Sequence, residues 1–240
     1  MTNIESKDNI VVVTLSNSHD NCLESPVFID LILLQSFISK SDAKALIIKG
    51  AGRHFSSGAD LKAISEQVKN NTIKEELKKG KELLRYIYDL DIPVISAIEG
   101  VCFGGGLEIA LSTHIRVVSE NALLAFPETM HDLMPGLGGN ALIKRHLSMG
   151  RSIEFILTNK IMSAELAIKE GLADYICAPK STFKFGYELV EKMTKDKPVQ
   201  VINSVMKAIK NSYVLSREQA MEEETRMFCD LAKNIDLSEQ

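Results

Sequence analysis

The chain has 240 residues, of which 45% are hydrophobic and 25% charged, with a formal net charge of −4. That length suits one large α/β domain, or one domain with a helical appendage. A chain with no basic excess cannot neutralise a run of phosphates, which argues against a general nucleic-acid binder.

The first 120 residues alternate short β-branched runs with longer amphipathic stretches. Residues 9–15 read as a strand, and 26–39 carry apolar residues at helical spacing. Residues 43–49 form a second buried strand that ends at Gly50 and Gly52. After a turn at Ser56, Ser57 and Gly58 come a short helix over 60–69 and a longer one over 73–90. The longer helix has Leu77, Leu83, Leu84 and Ile87 on its apolar face. Strands follow at 93–98, 115–119 and 123–126. Strands separated by helices imply right-handed crossovers and largely parallel pairing.

From Gly138 onward the pattern is mostly helical, with helices expected over 138–148, 151–158, 163–170, 182–195, 198–211 and 217–234. One strand interrupts them at 174–177. Ser163 is placed to cap a helix and Pro198 to open one. This divides the chain into an α/β core, 1–195, and a helical C-terminal segment, 196–240. A tail of that length buries little core by itself, so it is expected to pack on the core or on a neighbouring subunit.

Cys22, Cys102, Cys177 and Cys229 are scattered, with no CxxC pair. Reduced thiols in a cytoplasmic protein are therefore expected, rather than a disulfide or a metal site. The N-terminus lacks the apolar stretch of a signal peptide. No apolar run approaches the roughly 20 residues that span a membrane.

The chemistry concentrates in residues 99–108 and 126–139. Gly104, Gly105 and Gly106 precede an apolar stretch of helical character. Bare backbone N–H groups at a helix N-terminus make a site for negative charge. Glu108 and Glu128 follow in the two halves of this unit. Oxyanion donors beside two acid/base groups point to chemistry on a carbonyl compound. Each feature also has a plainer reading. The glycines can serve only to shape tight turns, Glu108 can be a first-turn acid favoured by the helix dipole, and Glu128 can be a surface residue after Pro127.

Three blocks resemble the enoyl-CoA hydratase/isomerase, or crotonase, superfamily. They are 50–62, containing Ser57-Gly58-Ala59-Asp60-Leu61-Lys62; 92–110, with the glycine triplet and Glu108; and 126–139, with Pro127-Glu128 and the closing Gly138-Gly139. Residues 161–176 are similar as well, and the likeness runs from about residue 9 to 232. It implies an α/β crotonase-like spiral of β-β-α units with a helical C-terminal region, assembled as a homotrimer or a hexamer.

The same resemblance implies roles. The backbone N–H groups of Ala59 and Gly105 would hold a thioester oxygen as an enolate forms. Of Glu108 and Glu128, one would activate water and the other would exchange the proton at Cα. The CoA adenine and phosphates would lie near Asp60, Leu61 and Lys62, met largely by backbone atoms, with Arg53 a further candidate. No resident cofactor or metal is implied, because CoA or phosphopantetheine arrives as the carrier of the substrate.

The presence of both glutamates favours an enoyl-thioester hydratase or dehydratase. The alternatives are a Δ3,Δ2-enoyl isomerase using one glutamate, Glu128; a dehydratase acting on acyl-carrier protein in a polyketide-type pathway; and a non-catalytic acyl-CoA binder. Phe103, Leu124, Phe126 and Met134 are candidate apolar walls, and equally candidate core.

Departures from the family pattern stand at several positions. His114 replaces a common Asp, and its plainer reading is structural. His131 and Asp132 follow Glu128 where small or apolar residues are usual. Asn140 replaces a Thr, and the segment Asn21-Cys22-Leu23 is atypical. The sequence closes at Gln240 without the Lys-Arg pair of relatives, so no phosphate contact from such a pair is expected.

Overall fold

The apolar runs near residues 10, 45 and 94 lie in the middle of a sheet because both of their faces are covered. In the computed structural model, which describes residues 2–233, the strands are β1 (Asn3–Lys7), β2 (Ile10–Leu15), β3 (Ala45–Gly50), β4 (Val94–Ile98), β5 (Val101–Phe103), β6 (Ile115–Ser119), β7 (Leu123–Ala125), β8 (Met162–Ser163) and β9 (Tyr175–Cys177). Six of them form one sheet in the order β1-β2-β3-β4-β6-β9, and β5-β7-β8 form a second. The larger sheet is parallel except for β1, which pairs antiparallel with β2.

The helices are α1 (Leu31–Lys40), α2 (Leu61–Lys69), α3 (Ile73–Asp89), α4 (Gly105–Leu111), α5 (Gly139–Leu142), α6 (Met149–Leu157), α7 (Ala164–Glu170), α8 (Thr182–Thr194), α9 (Val199–Asn211) and α10 (Arg217–Ala232). Val11, Val13, Leu46 and Ile48 face the main core with Leu34 of α1, Leu83, Leu84 and Ile87 of α3, and Leu107 and Leu111 of α4. On the other face, Ile10, Val12, Ile47 and Ile95 are covered by α8 through Val190, Phe183 and Tyr187. A parallel sheet buried on both sides has no polar face, so its strands read as continuous apolar runs.

Three strands were not legible in the sequence. β1 is a largely exposed polar edge, and β5 and β8 are only three and two residues long. The helix expected over 26–39 begins at Leu31, because Asp30 caps it by accepting from the Leu33 N–H at 2.7 Å. The helix expected over 138–148 breaks after α5 into a 3-10 turn, Ile143–Arg145. Ser163 does cap α7, accepting from Leu166 N–H. Pro198 sits at the cap of α9, one residue earlier than a first-turn proline.

The C-terminal helices dock on the core through buried Ile202 and half-buried Met206 of α9. The Lys210 ammonium adds a hydrogen bond to Leu90 O at 3.0 Å and an ion pair with Asp91 at 2.8 Å. Val205, Ile209, Met221 and Phe228 remain exposed on α9 and α10. Residue 234 of the expected last helix, and 234–240 of the expected tail segment, lie outside the described residues.

The end of β6 is pinned by a buried cation. The Arg116 guanidinium donates to Leu172 O at 2.7 Å and Thr113 O at 3.0 Å, and pairs with Asp174 at 2.9 Å. Removing it strands two carbonyls, while the partly exposed Asp174 keeps the Arg116 backbone N–H. Arg116→Ala should therefore lower unfolding free energy by about 2–4 kcal/mol. Exposed Arg85→Ala should cost under about 0.5 kcal/mol. Urea denaturation of both variants checks this.

Candidate active site

Two glycine turns meet at the C-terminal end of the sheet. Gly58 has φ +96° and Gly104 φ +51°, conformations that side-chain-bearing residues rarely adopt. The turns are pressed together. A Cβ on Gly58 would lie 2.9 Å from Phe103 O and 3.5 Å from Gly104 Cα. Gly106 is needed for a separate reason: it lies flat against Ser56, where a Cβ would fall 2.7 Å from Ser56 Cβ.

Each turn opens a helix. Asp60 caps α2, its carboxylate accepting from the N–H groups of Lys62 at 2.7 Å and Ala63 at 3.4 Å. Gly105 is the first residue of α4, a helix buried along its whole length. Ala59 and Gly105 are thereby neighbours, since a Cβ on Gly105 would lie 3.9 Å from Ala59 N. Among the described residues, neither N–H has a protein acceptor.

Glu108 projects from α4 and is only 2% exposed. Its Oε1 accepts from the backbone N–H groups of Leu137 and Gly139, both at 2.7 Å. Gly139 can come this close because a Cβ there would meet Oε1 at 3.0 Å. Glu128 opens a 3-10 turn, Glu128–His131. Its Oε1 rests against Gly104, 3.0 Å from where a Cβ would stand. Its Oε2 is buried and, among the described residues, has no hydrogen-bond partner.

Burial pushes both carboxyls from an ordinary 4.5 up to about 7. For Glu108 the two backbone donors oppose the shift and the charge of Glu128 adds to it. Two acidic groups poised near neutrality share the rim of one cavity of about 130 Å³. Ala59 and Gly105 line it too, and Leu23, Leu77, Met134 and Leu137 supply apolar walls.

The expected residues divide clearly. Glu108, Glu128, Ala59 and Gly105 converge on the cavity, and Asp60 lies at its edge with its carboxylate committed to the cap. Leu61, Lys62 and Arg53 are exposed. Of the candidate apolar walls, Met134 lines the cavity, whereas Leu124 and Phe126 belong to the core.

His114 is structural: its Nδ1 accepts from Val94 N–H at 3.0 Å, and Nε2 lies 2.9 Å from Tyr88 O, so Nε2 carries the proton. Burial holds this imidazole below its ordinary pKa. His131 and Asp132 are exposed. Asn140 donates to Pro135 O at 3.0 Å and braces the loop that supplies the Leu137 donor. Asn21 donates to Ala51 O and His54 O, tying the first turn together.

Sequence reasoning missed the Leu137 and Gly139 donors. Their signal was present in the glycine-rich run at 136–139, but nothing in the run says which acceptor it faces. Among the described residues no His, Cys, Asp or Glu cluster could hold a metal ion, and no helix is long and apolar enough to cross a membrane.

Two backbone N–H groups beside two buried carboxyls form an arrangement that can hold a charged oxygen and exchange a proton. The lineage agrees. Residues 5–239 match the family model of enoyl-CoA hydratase/isomerase, and the chain belongs to this family. The short-chain-enoyl-CoA hydratase of Clostridium acetobutylicum is 32% identical over 205 residues, 82% of this chain and 77% of that protein. The peroxisomal fatty acid beta-oxidation multifunctional protein MFP2 of Arabidopsis thaliana is 34% identical over 177 residues. That match takes in 72% of this chain but only 24% of the plant protein. The structure of a Thermobifida fusca protein in complex with acetoacetyl-CoA has a TM-score of 0.86 at 20% identity, covering 98% of this chain and 95% of that one. The fold is that of the crotonase enzymes.

The raised carboxyls have a consequence for stability. A carboxyl whose folded pKa exceeds its unfolded value binds its proton more tightly in the fold. Stability is therefore lost as pH rises from about 4.5 through about 7. Glu108→Gln keeps an oxygen to accept both N–H bonds and removes the charge. At pH ~8 the variant should be more stable than the parent by about 2–3 kcal/mol. The gap should close as pH falls toward ~4.5. Urea titrations across that range measure it, and a gap independent of pH would refute it.

Proposed function

We propose that this protein is an enoyl-thioester hydratase, adding water across the 2,3 bond of an acyl-CoA or running the reverse dehydration. The observation that carries the reading is the buried, unpartnered Oε2 of Glu128, sharing a cavity with Glu108 and two free backbone N–H groups. The thioester oxygen would accept from Ala59 and Gly105 N–H, which stabilise the charge that collects there as the enolate forms. Glu108, fixed by two backbone donors, would take a proton from water as the hydroxyl adds to C3. Glu128, whose free oxygen has no donor to hold it ionised, would deliver a proton to C2. Water is thus divided between the two carbons, and a proton returns from Glu108 to Glu128 before the next turnover. The acetoacetyl-CoA complex of the Thermobifida fusca neighbour supports CoA as the carrier; acyl-carrier protein is the competing carrier.

The test is loss of the enoyl absorbance of crotonyl-CoA. Glu108→Gln and Glu128→Gln should each cost about 100-fold or more in kcat. The double variant should be less than additive, because the two groups act as one unit. An isomerase using Glu128 alone would spare Glu108→Gln and create absorbance from a 3-enoyl substrate. Near-parental turnover in the double variant would defeat both mechanisms.

Assembly belongs to the same reading. The exposed Val205, Ile209, Met221 and Phe228 on α9 and α10 support a homotrimer or its hexamer, because apolar side chains on two neighbouring helices favour cover from a partner. Light scattering at micromolar concentration should give at least three protomers, and a stable monomer would overturn the assembly.

A further inference from the structure

One wall of the cavity is closed by α3. Gly80 is a point of very close approach for this helix: a Cβ there would lie 2.6 Å from Pro26 Cβ and 2.8 Å from Leu137 Cδ2. Both of those side chains line the cavity. One turn earlier Leu77 reaches across to the loop that follows Glu128. Its Cδ2 lies 3.3 Å from where Gly136 would carry a Cβ. Leu77 is half-buried, lining the cavity and packing against the main core. Glycines at 80 and 136 thus let α3 and the loop approach, and Leu77 fills the seam between them.

The cavity is small and partly open. A cavity of about 150 Å³ lined by apolar side chains holds benzene, a ligand of six carbons; this one is about 130 Å³.

We infer that Leu77 sets acyl-chain length, closing the pocket behind a short acyl group of about six carbons or fewer. The inference rests on the acyl-thioester reading above. Each methylene that finds room in the cavity should strengthen binding by about fourfold. The gain should stop where the chain meets Leu77. Trimming Leu77 should widen the seam beside Gly136 and let a longer chain extend. Gly136→Ala narrows the seam instead, since its methyl would stand 3.3 Å from Leu77 Cδ2.

The experiment is calorimetric titration of the full chain with saturated butyryl-, hexanoyl-, octanoyl- and decanoyl-CoA. Hydration rates of the matching 2-enoyl thioesters are measured alongside. The parent's affinity should rise to hexanoyl-CoA and then level or fall. Leu77→Ala should raise the decanoyl-to-butyryl affinity ratio by about tenfold or more, two further methylenes' worth. Gly136→Ala should move the break toward butyryl-CoA, and it carries the test if Leu77→Ala does not fold. A parent affinity that climbs steadily to decanoyl-CoA, or a ratio unmoved by the variants, overturns the inference. A break at hexanoyl-CoA with no hydration at any length would instead sink the hydratase reading and leave the Leu77 assignment standing. Ordinary hydration with no length dependence would do the opposite. No binding by any of the four thioesters would overturn both.

Discussion

The site depends on two backbones in contact. Gly58 and Gly104 belong to turns that follow different strands, and both adopt positive φ. A Cβ on Gly58 would keep the turns from touching at that separation. The contact brings Ala59 beside Gly105, so two N–H groups without a protein acceptor among the described residues lie close together. A backbone donor held by the fold needs no reorganisation when charge appears on its acceptor. The same turn seats Glu128, whose Oε1 rests against Gly104.

Burying two carboxyls in one cavity works against stability. Neither has a cation within ion-pair distance among the described residues. Glu108 receives two backbone hydrogen bonds and Glu128 leaves one oxygen unsatisfied. Asn21 Oδ1 is likewise buried without a partner among the described residues, but Glu128 lines the cavity and Asn21 does not. The sheet core, covered on both faces, supplies the favourable burial against which this cost is set. The α/β core is thus a rigid frame around a deliberately uncomfortable pair of acids.

Several polar side chains also hold the frame. His114 bridges the end of α3 and the start of β4. Asn21 and Asn140 each donate to carbonyls that shape the loops around the cavity. Asp60 caps α2 just past Ala59, which sets the direction of the chain as it leaves the first turn. Their chemistry is polar, but their partners are backbone groups of this protein.

The sequence by itself determined the strand runs, the glycine turns and the two glutamates. Those signals are local: β-branched runs, glycine triplets and proline–glutamate pairs act over a few residues. It could not reveal β1, whose polar residues join the sheet only because β2 offers an edge. Nor could it separate Leu77, which lines the cavity, from Leu83, Leu84 and Ile87 on the same helical stripe, which enter the core. The tertiary structure alone decided that Glu108 would be held by residues 29 and 31 positions away, and that Glu128 would keep an oxygen free. Burial, pairing and pKa depend on what the rest of the chain places around a residue, and that is settled by long-range packing, not by the residue's neighbours in sequence.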